Sequence, residues 1–118
     1  MIMKTGEILL YKTPADNIRV EVLLQDETVW LSQEQMAMLF GKSKSTINGH
    51  IQNLFKKEEF NETLCFIKYG NSGYGQKAPY YYNLDVIILI GYRVKSRQVT
   101  RFRIWAIQKI KKRNLKHK

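Results

Sequence analysis

Hydrophobic and polar positions change their period several times along this chain, and each change marks an element. Ile18, Val20, Val22 and Leu24 alternate with Arg19, Glu21 and Gln25, the two-residue period of a half-buried strand. Glu7 to Lys12 reads as a strand before it, ended by the turn signal Pro14, Ala15, Asp16, Asn17, and Thr28 to Leu31 returns alongside through a turn at Asp26 and Glu27. A small antiparallel sheet therefore opens the chain. At Gln33 the period lengthens to that of a helix. Ser32 is a good N-cap, Gln35 three residues on completes a capping box, and Leu31 with Met36 suits a hydrophobic staple, which predicts a helix from Gln33 to Phe40. Ser43 caps a second helix in the same way, with Ile47, Ile51, Leu54 and Phe55 along one face.

The two helices have the spacing of a helix-turn-helix. Ala37 lets the helix axes approach, Gly41 can take the left-handed conformation at the corner, and Ile47 plugs the second helix onto the first. The polar face of the second helix carries Ser45, Gly49, Gln52 and Lys56, flanked by Thr46, Asn48 and Asn53. Amide side chains suit base edges, since Asn and Gln bond adenine bidentately and Lys reaches guanine or phosphate. A merely solvated helix mixes both charge signs, yet Lys42 to Lys57 holds four lysines and no acid. Gly49 stands against a helix there, at a cost of about 1 kcal/mol relative to Ala.

Further on, Thr63 to Tyr69 and Lys77 to Asn83 are β-prone runs separated by GNSGYGQ, which predicts a hairpin. A hairpin after a recognition helix is a wing, with Tyr74 at its tip, Lys68 and Lys77 on its arms and Pro79 at an edge position. Tyr80, Tyr81 and Tyr82 are read as hairpin packing rather than base-stacking platforms. Asn83 can cap a third helix, Leu84 to about Val94, that buries Val86, Ile87, Leu89 and Ile90. A fourth helix follows from Gln98 or Thr100. Its apolar residues Phe102, Ile104, Trp105, Ile107 and Ile110 cover more than one face, so it is sandwiched in the core or paired with a second copy of the chain.

Composition narrows the function. A chain of 118 residues, 44% hydrophobic, is expected to form one domain. Its net charge is +10, and residues 91–118 hold eleven Lys and Arg and no acid, so this stretch carries the whole excess. Such asymmetry points to a polyanion, nucleic acid ahead of a membrane surface. The opening MIMKTGEILLY is too short in apolar run for a signal peptide, and Val86 to Ile90 cannot span a bilayer. Cys65 stands alone, which excludes an intrachain disulfide or cysteine-ligated zinc and leads us to expect a cytoplasmic protein. No metal, cofactor or small-molecule substrate is expected. An enzyme ranks last, because His50 and His117 are the only histidines and no nucleophile, base and orienting group assemble from local sequence.

The segments VWLSQEQMAMLFG, STINGHIQNLF, YYNLDVIILIGYRVKS and FRIWA resemble the amino-terminal region of the virulence RhuM family, over about Arg19 to Lys112. The resemblance implies a DNA-binding, winged-helix-like region. The loop Lys95 to Thr100 departs from it in lacking a glycine, and the chain ends in KIKKRNLKHK where relatives are expected to continue.

These observations converge on an α+β fold: a winged helix-turn-helix with a small antiparallel N-terminal sheet, a β-hairpin wing and two C-terminal helices. The function expected is that of a sequence-dependent DNA-binding regulator of bacterial or phage origin. Lys42, Ser43 and Lys44 would sit on phosphates, Ser45, Thr46, Asn48, Gln52 and Asn53 would face the bases, and Lys56 would reach guanine or phosphate. Lys68, Tyr74 and Lys77 would reach the sugar-phosphate backbone from the wing, and Arg93, Lys95, Arg97, Arg101 and Arg103 would add sequence-independent attraction. The alternative is an adaptor whose helix-turn-helix is structural and which engages a toxin or effector.

Overall fold

The computed structural model describes residues 6–15, 17–56, 66–68 and 80–116, and side chains for all of these except 66–68 and 114–116. Among them the chain is α+β, with one antiparallel sheet and four helices. In chain order the elements are β1 (Glu7–Thr13), β2 (Ile18–Gln25), β3 (Thr28–Ser32), α1 (Gln33–Phe40), α2 (Lys44–Lys56), β4 (Phe66–Lys68), β5 (Tyr80–Asn83), α3 (Leu84–Arg93) and α4 (Gln98–Lys116). The strands lie in the order β1-β2-β3-β5-β4. Strand β5 thus pairs back onto β3, the strand that precedes the helices, with Leu31 opposite Tyr82, and onto β4, with Phe66 opposite Tyr82.

Local chemistry accounts for the breaks between elements. Gln25 pairs with Thr28, so Asp26 and Glu27 alone make the β2–β3 turn, both with positive φ as a tight primed turn demands. At the start of α1 the Ser32 hydroxyl accepts from the Gln35 amide at 3.2 Å while the Gln35 side chain accepts from the Ser32 amide at 2.9 Å, the reciprocal capping box expected. Gly41 closes α1 at φ 66°, and the Lys42 amide bonds back to the Ala37 carbonyl at 3.0 Å. Asn83 ends β5 and caps α3 by accepting from the Val86 amide at 3.2 Å.

The end of α3 explains the missing glycine. The Lys95 amide bonds to the Tyr92 carbonyl at 3.1 Å and the Ser96 amide to the Gly91 carbonyl at 3.0 Å, which is the paired arrangement of a Schellman cap. The left-handed position of that cap is Lys95 itself, at φ 56°. A glycine would occupy it without strain.

Val20, Val22, Leu24, Val29, Leu31 and Tyr82 of the sheet pack with Met36, Leu39, Ile47, Ile51, Leu54, Ile87, Ile90 and Phe102 of the helices in one core. Two features depart from the pattern reading. Leu23 breaks the alternation of β2: it is buried on the other face, opposite its register partner Trp30, whose Nε1 donates to the Gln25 carbonyl at 2.8 Å. In α3 the fully buried positions are Val86, Ile87, Ile90 and Gly91, and Leu89 is only partly covered. Gly91 is buried because α4 crosses there; an added Cβ would lie 2.6 Å from a Val99 methyl carbon.

Three substitutions test this frame. Gly41→Ala should lower stability by about 0.5–1 kcal/mol, and Lys95→Gly should raise it by about as much, because the same left-handed backbone is held in one case by glycine and in the other by a residue with a Cβ. Gly91→Ala should cost about 1–3 kcal/mol through overpacking against Val99. Equilibrium urea unfolding measures all three.

Candidate nucleic-acid interface

Helix α2 is pinned by one apolar face. Ile47, Ile51 and Leu54 are 0%, 1% and 0% exposed, and burying each stabilises by about 1.5–3 kcal/mol. Phe55 packs partly against the same core, its ring 6.2 Å from that of Tyr82. Lys42, Ser43, Lys44, Ser45, Thr46, Gly49, Gln52, Asn53 and Lys56 are all exposed. The Ser43 hydroxyl caps the helix by accepting from the Thr46 amide at 3.1 Å, and it donates to the Thr46 hydroxyl at 2.9 Å. The Ser45 hydroxyl lies 3.4 Å from it. Three hydroxyls and two lysines thus surround a helix start whose unpaired amides favour anions.

Asn48 does not belong to the free polar face on which its spacing put it. It is half-buried, and its Oδ1 accepts from Gln33 Nε2 at 2.9 Å. Gln33 Nε2 also lies 3.4 Å from the Tyr82 hydroxyl, to which it donates. These contacts tie the first residue of α1 to α2 and to β5. Burial pushes the Tyr82 phenol above its ordinary value of 10.0, against the opposing effect of the Gln33 hydrogen bond. Gln33 and Tyr82 were not legible as site residues, because their partners lie 15 and 49 positions away in sequence.

The basic carboxy-terminal stretch is divided by the fold. Lys95 and Arg97, both exposed, line a cleft of about 520 Å³ together with Gly41 and Lys42, so two of its cations stand at the corner between α1 and α2. Arg101 and Arg103 are exposed on α4, and Arg93 is half-buried in the last turn of α3. The side chain of Lys68 and the residues Tyr74 and Lys77, with the hairpin loop that carries them, lie outside the described residues, as does Cys65.

The apolar arc of α4 is covered chiefly within the chain. Tyr11 of β1 meets Phe102 and Trp105 edge-on at 5.2 and 5.1 Å between ring centroids, and Arg113 reaches Glu7 at 2.9 Å. The two contacts span eight residues of helix and four of strand, about 12 and 14 Å, so α4 runs antiparallel along β1. Ile104 and Ile107 remain 50% and 39% exposed. Among the described residues no helix is long and apolar enough to cross a membrane.

Residues 64–117 match the family model of the Virulence protein RhuM family. That span, which includes YNLDVI, GYRV and FRIWA, is similar to the family. The matched span is shorter than the resemblance drawn from residues 19–112, and VWLSQEQMAMLFG and STINGHIQNLF lie before it. The family's name associates it with virulence and specifies no chemistry. No curated protein and no solved structure matches the chain.

Two outcomes follow from this geometry. Nothing lies within 4 Å of a Cβ built on Gly49, so Gly49→Ala should stabilise the fold by about 1 kcal/mol and raise Tm by roughly 4 °C in calorimetry. For Tyr82 the raised value favours the neutral phenol in the folded chain. The unfolded chain then loses that proton first, and stability present below pH 10 declines as pH rises past it. In denaturant titrations across that range, Tyr82→Phe should show a shallower alkaline decline than the native chain.

Proposed function

We propose that this chain, with its segment similar to the RhuM family, is a DNA-binding regulator that places α2 in the major groove. The observation that carries this reading is the surface of α2: an exposed face of lysine, hydroxyl and amide side chains with no acid, rigidly backed by Ile47, Ile51 and Leu54. The order of elements supports it. Two helices joined at a left-handed Gly41 precede a hairpin whose second strand pairs back to the strand before the helices, which is the connectivity a winged helix-turn-helix requires.

In this reading Lys42, Lys44, Lys95 and Arg97 hold phosphates on either side of the α1–α2 corner, and the N-terminus of α2 adds its free amides. Gln52 and Asn53 inspect base edges from the exposed face, with Ser45, Thr46 and Lys56 beside them. Gly49 offers a point where sugar-phosphate or base atoms approach the helix without meeting a side chain. The wing, with Lys68, Tyr74 and Lys77, contacts the flanking backbone, and Arg93, Arg101 and Arg103 contribute attraction that is indifferent to sequence. We assign the chain a binding role and no catalytic one.

A second reading, that of an adaptor, is favoured by apolar surface. Ile8, Leu10, Met38 and Tyr80 are all exposed and border one open groove of about 1000 Å³. Association of two copies through Ile104 and Ile107 belongs instead to the DNA reading, since a two-fold partner would space two recognition helices for a palindromic site. Sedimentation of the native chain and of Ile104→Lys at tens of micromolar tests it; a native chain that sediments as a monomer removes the dimer.

Electrophoretic shift on random duplexes over a salt series tests the DNA reading itself. Binding should fall steeply with salt as phosphate contacts release counterions. Gln52→Ala should weaken preferred sites by about 1–3 kcal/mol and spare non-specific binding, whereas Lys44→Ala should weaken all sequences alike. Absence of binding to every duplex at low salt would overturn the reading.

A further inference from the structure

Asn48 sits at the edge of the α2 face that the DNA reading directs at bases, yet its amide is not free to rotate. Its oxygen accepts from Gln33 Nε2 at 2.9 Å, and the same nitrogen donates to the Tyr82 hydroxyl at 3.4 Å. Gln33 therefore spends its two N–H groups on two acceptors. Neither end of that arrangement is loose. Gln33 follows Ser32 directly, inside the capping box that locks the first turn of α1. Tyr82 is 5% exposed, and its backbone stands between Leu31 and Phe66 in the sheet.

An amide group that offers its oxygen to a fixed donor turns its nitrogen the other way. On half-buried Asn48 the side open to a ligand is then the NH₂ group. Bidentate adenine recognition needs an acceptor and a donor side by side, for N6–H and N7. Guanine presents two acceptors, O6 and N7, in the major groove. The surrounding hydroxyls and lysines of the α2 start do not alter this, because none of them bonds the Asn48 amide among the described hydrogen bonds.

We propose that Gln33 is a positioning residue for base selection: by holding Asn48 Oδ1 it leaves Asn48 to read through its NH₂ group, which favours guanine, with two acceptors, over adenine, with one, at the base it faces. The proposal rests on the DNA-binding reading and goes beyond it in naming which base chemistry one position takes. It also reverses the adenine preference that the residue type alone suggests for Asn48. Gln33 touches no DNA in this account and acts through Asn48.

Selection of bound duplexes from a randomised library, sequenced for the native chain and for four variants, reads the outcome at single-base level. Asn48→Ala should flatten one position of the preferred site and leave the others intact. Gln33→Leu removes the donor, and adenine should gain on guanine at that position by about tenfold. Gln33→Glu offers only an acceptor, so the Asn48 amide must turn over; its oxygen then faces outward and the preference should pass to the donor-bearing edges of cytosine or adenine. Asn48→Asp presents an acceptor while leaving Gln33 its partner, and it should favour cytosine in the same way. Thermal unfolding and non-specific duplex binding of each variant separate these shifts from loss of fold. If the position keeps one base preference through Gln33→Leu, Gln33→Glu and Asn48→Asp, or if Asn48→Ala changes no position, the proposal is overturned while the native chain's binding still upholds the DNA reading. A native chain that binds no duplex overturns that reading and the proposal with it.

Discussion

The burial of Ile47, Ile51 and Leu54 decides what every other residue of α2 can do. With these side chains withdrawn completely from solvent, the helix cannot roll about its axis without exposing them, at a cost of several kcal/mol. Its lysines, hydroxyls and amides are thereby presented as a fixed set. The partners that hold the helix are themselves fixed by separate local devices: α1 by the Ser32–Gln35 capping box and Gly41, β5 by pairing on both sides, and α3 by the Asn83 cap and the close approach at Gly91.

Strand β5 carries much of this coordination. It joins the strand before the helices to the hairpin after them, it contributes Tyr82 to both the core and the Gln33 hydrogen bond, and its last residue starts α3. A displacement of β5 would therefore be felt at once in the sheet, at the edge of α2 and at the first turn of the carboxy-terminal helices. The cations beyond α3 gain meaning from the same chain of contacts. Lys95 and Arg97 come beside Lys42 because Gly91 packs under Val99 and the Schellman cap turns the chain back toward the α1–α2 corner.

Much of this was legible in the sequence wherever the cause is local. The bounds of α1 followed from Ser32, Gln35 and Gly41, all within ten residues, and β2 and its turn followed from alternation and the Asp26–Glu27 pair. What escaped depends on distance in sequence. Leu23 breaks the alternation because Trp30 offers it a second buried face. Asn48 belongs to an inter-helix hydrogen bond whose donor precedes it by 15 residues, so helical spacing alone counted it with the free amides. Nothing local to α3 asks for a glycine at position 91; the close approach of Val99 and Phe40 does. The tyrosines 80–82 divided as expected of hairpin packing only in part, with Tyr82 buried and Tyr80 exposed.

The central claim is that α2, rather than the more strongly charged α4, meets the nucleic acid. Amide chemical-shift mapping during titration with a short duplex measures this most directly. The account predicts that the largest changes fall on Ser43 to Lys56, concentrated at Ser45, Gln52 and Asn53, with a second group at Lys95 and Arg97. Changes confined to Arg101 to Arg113, with α2 unmoved, would contradict it.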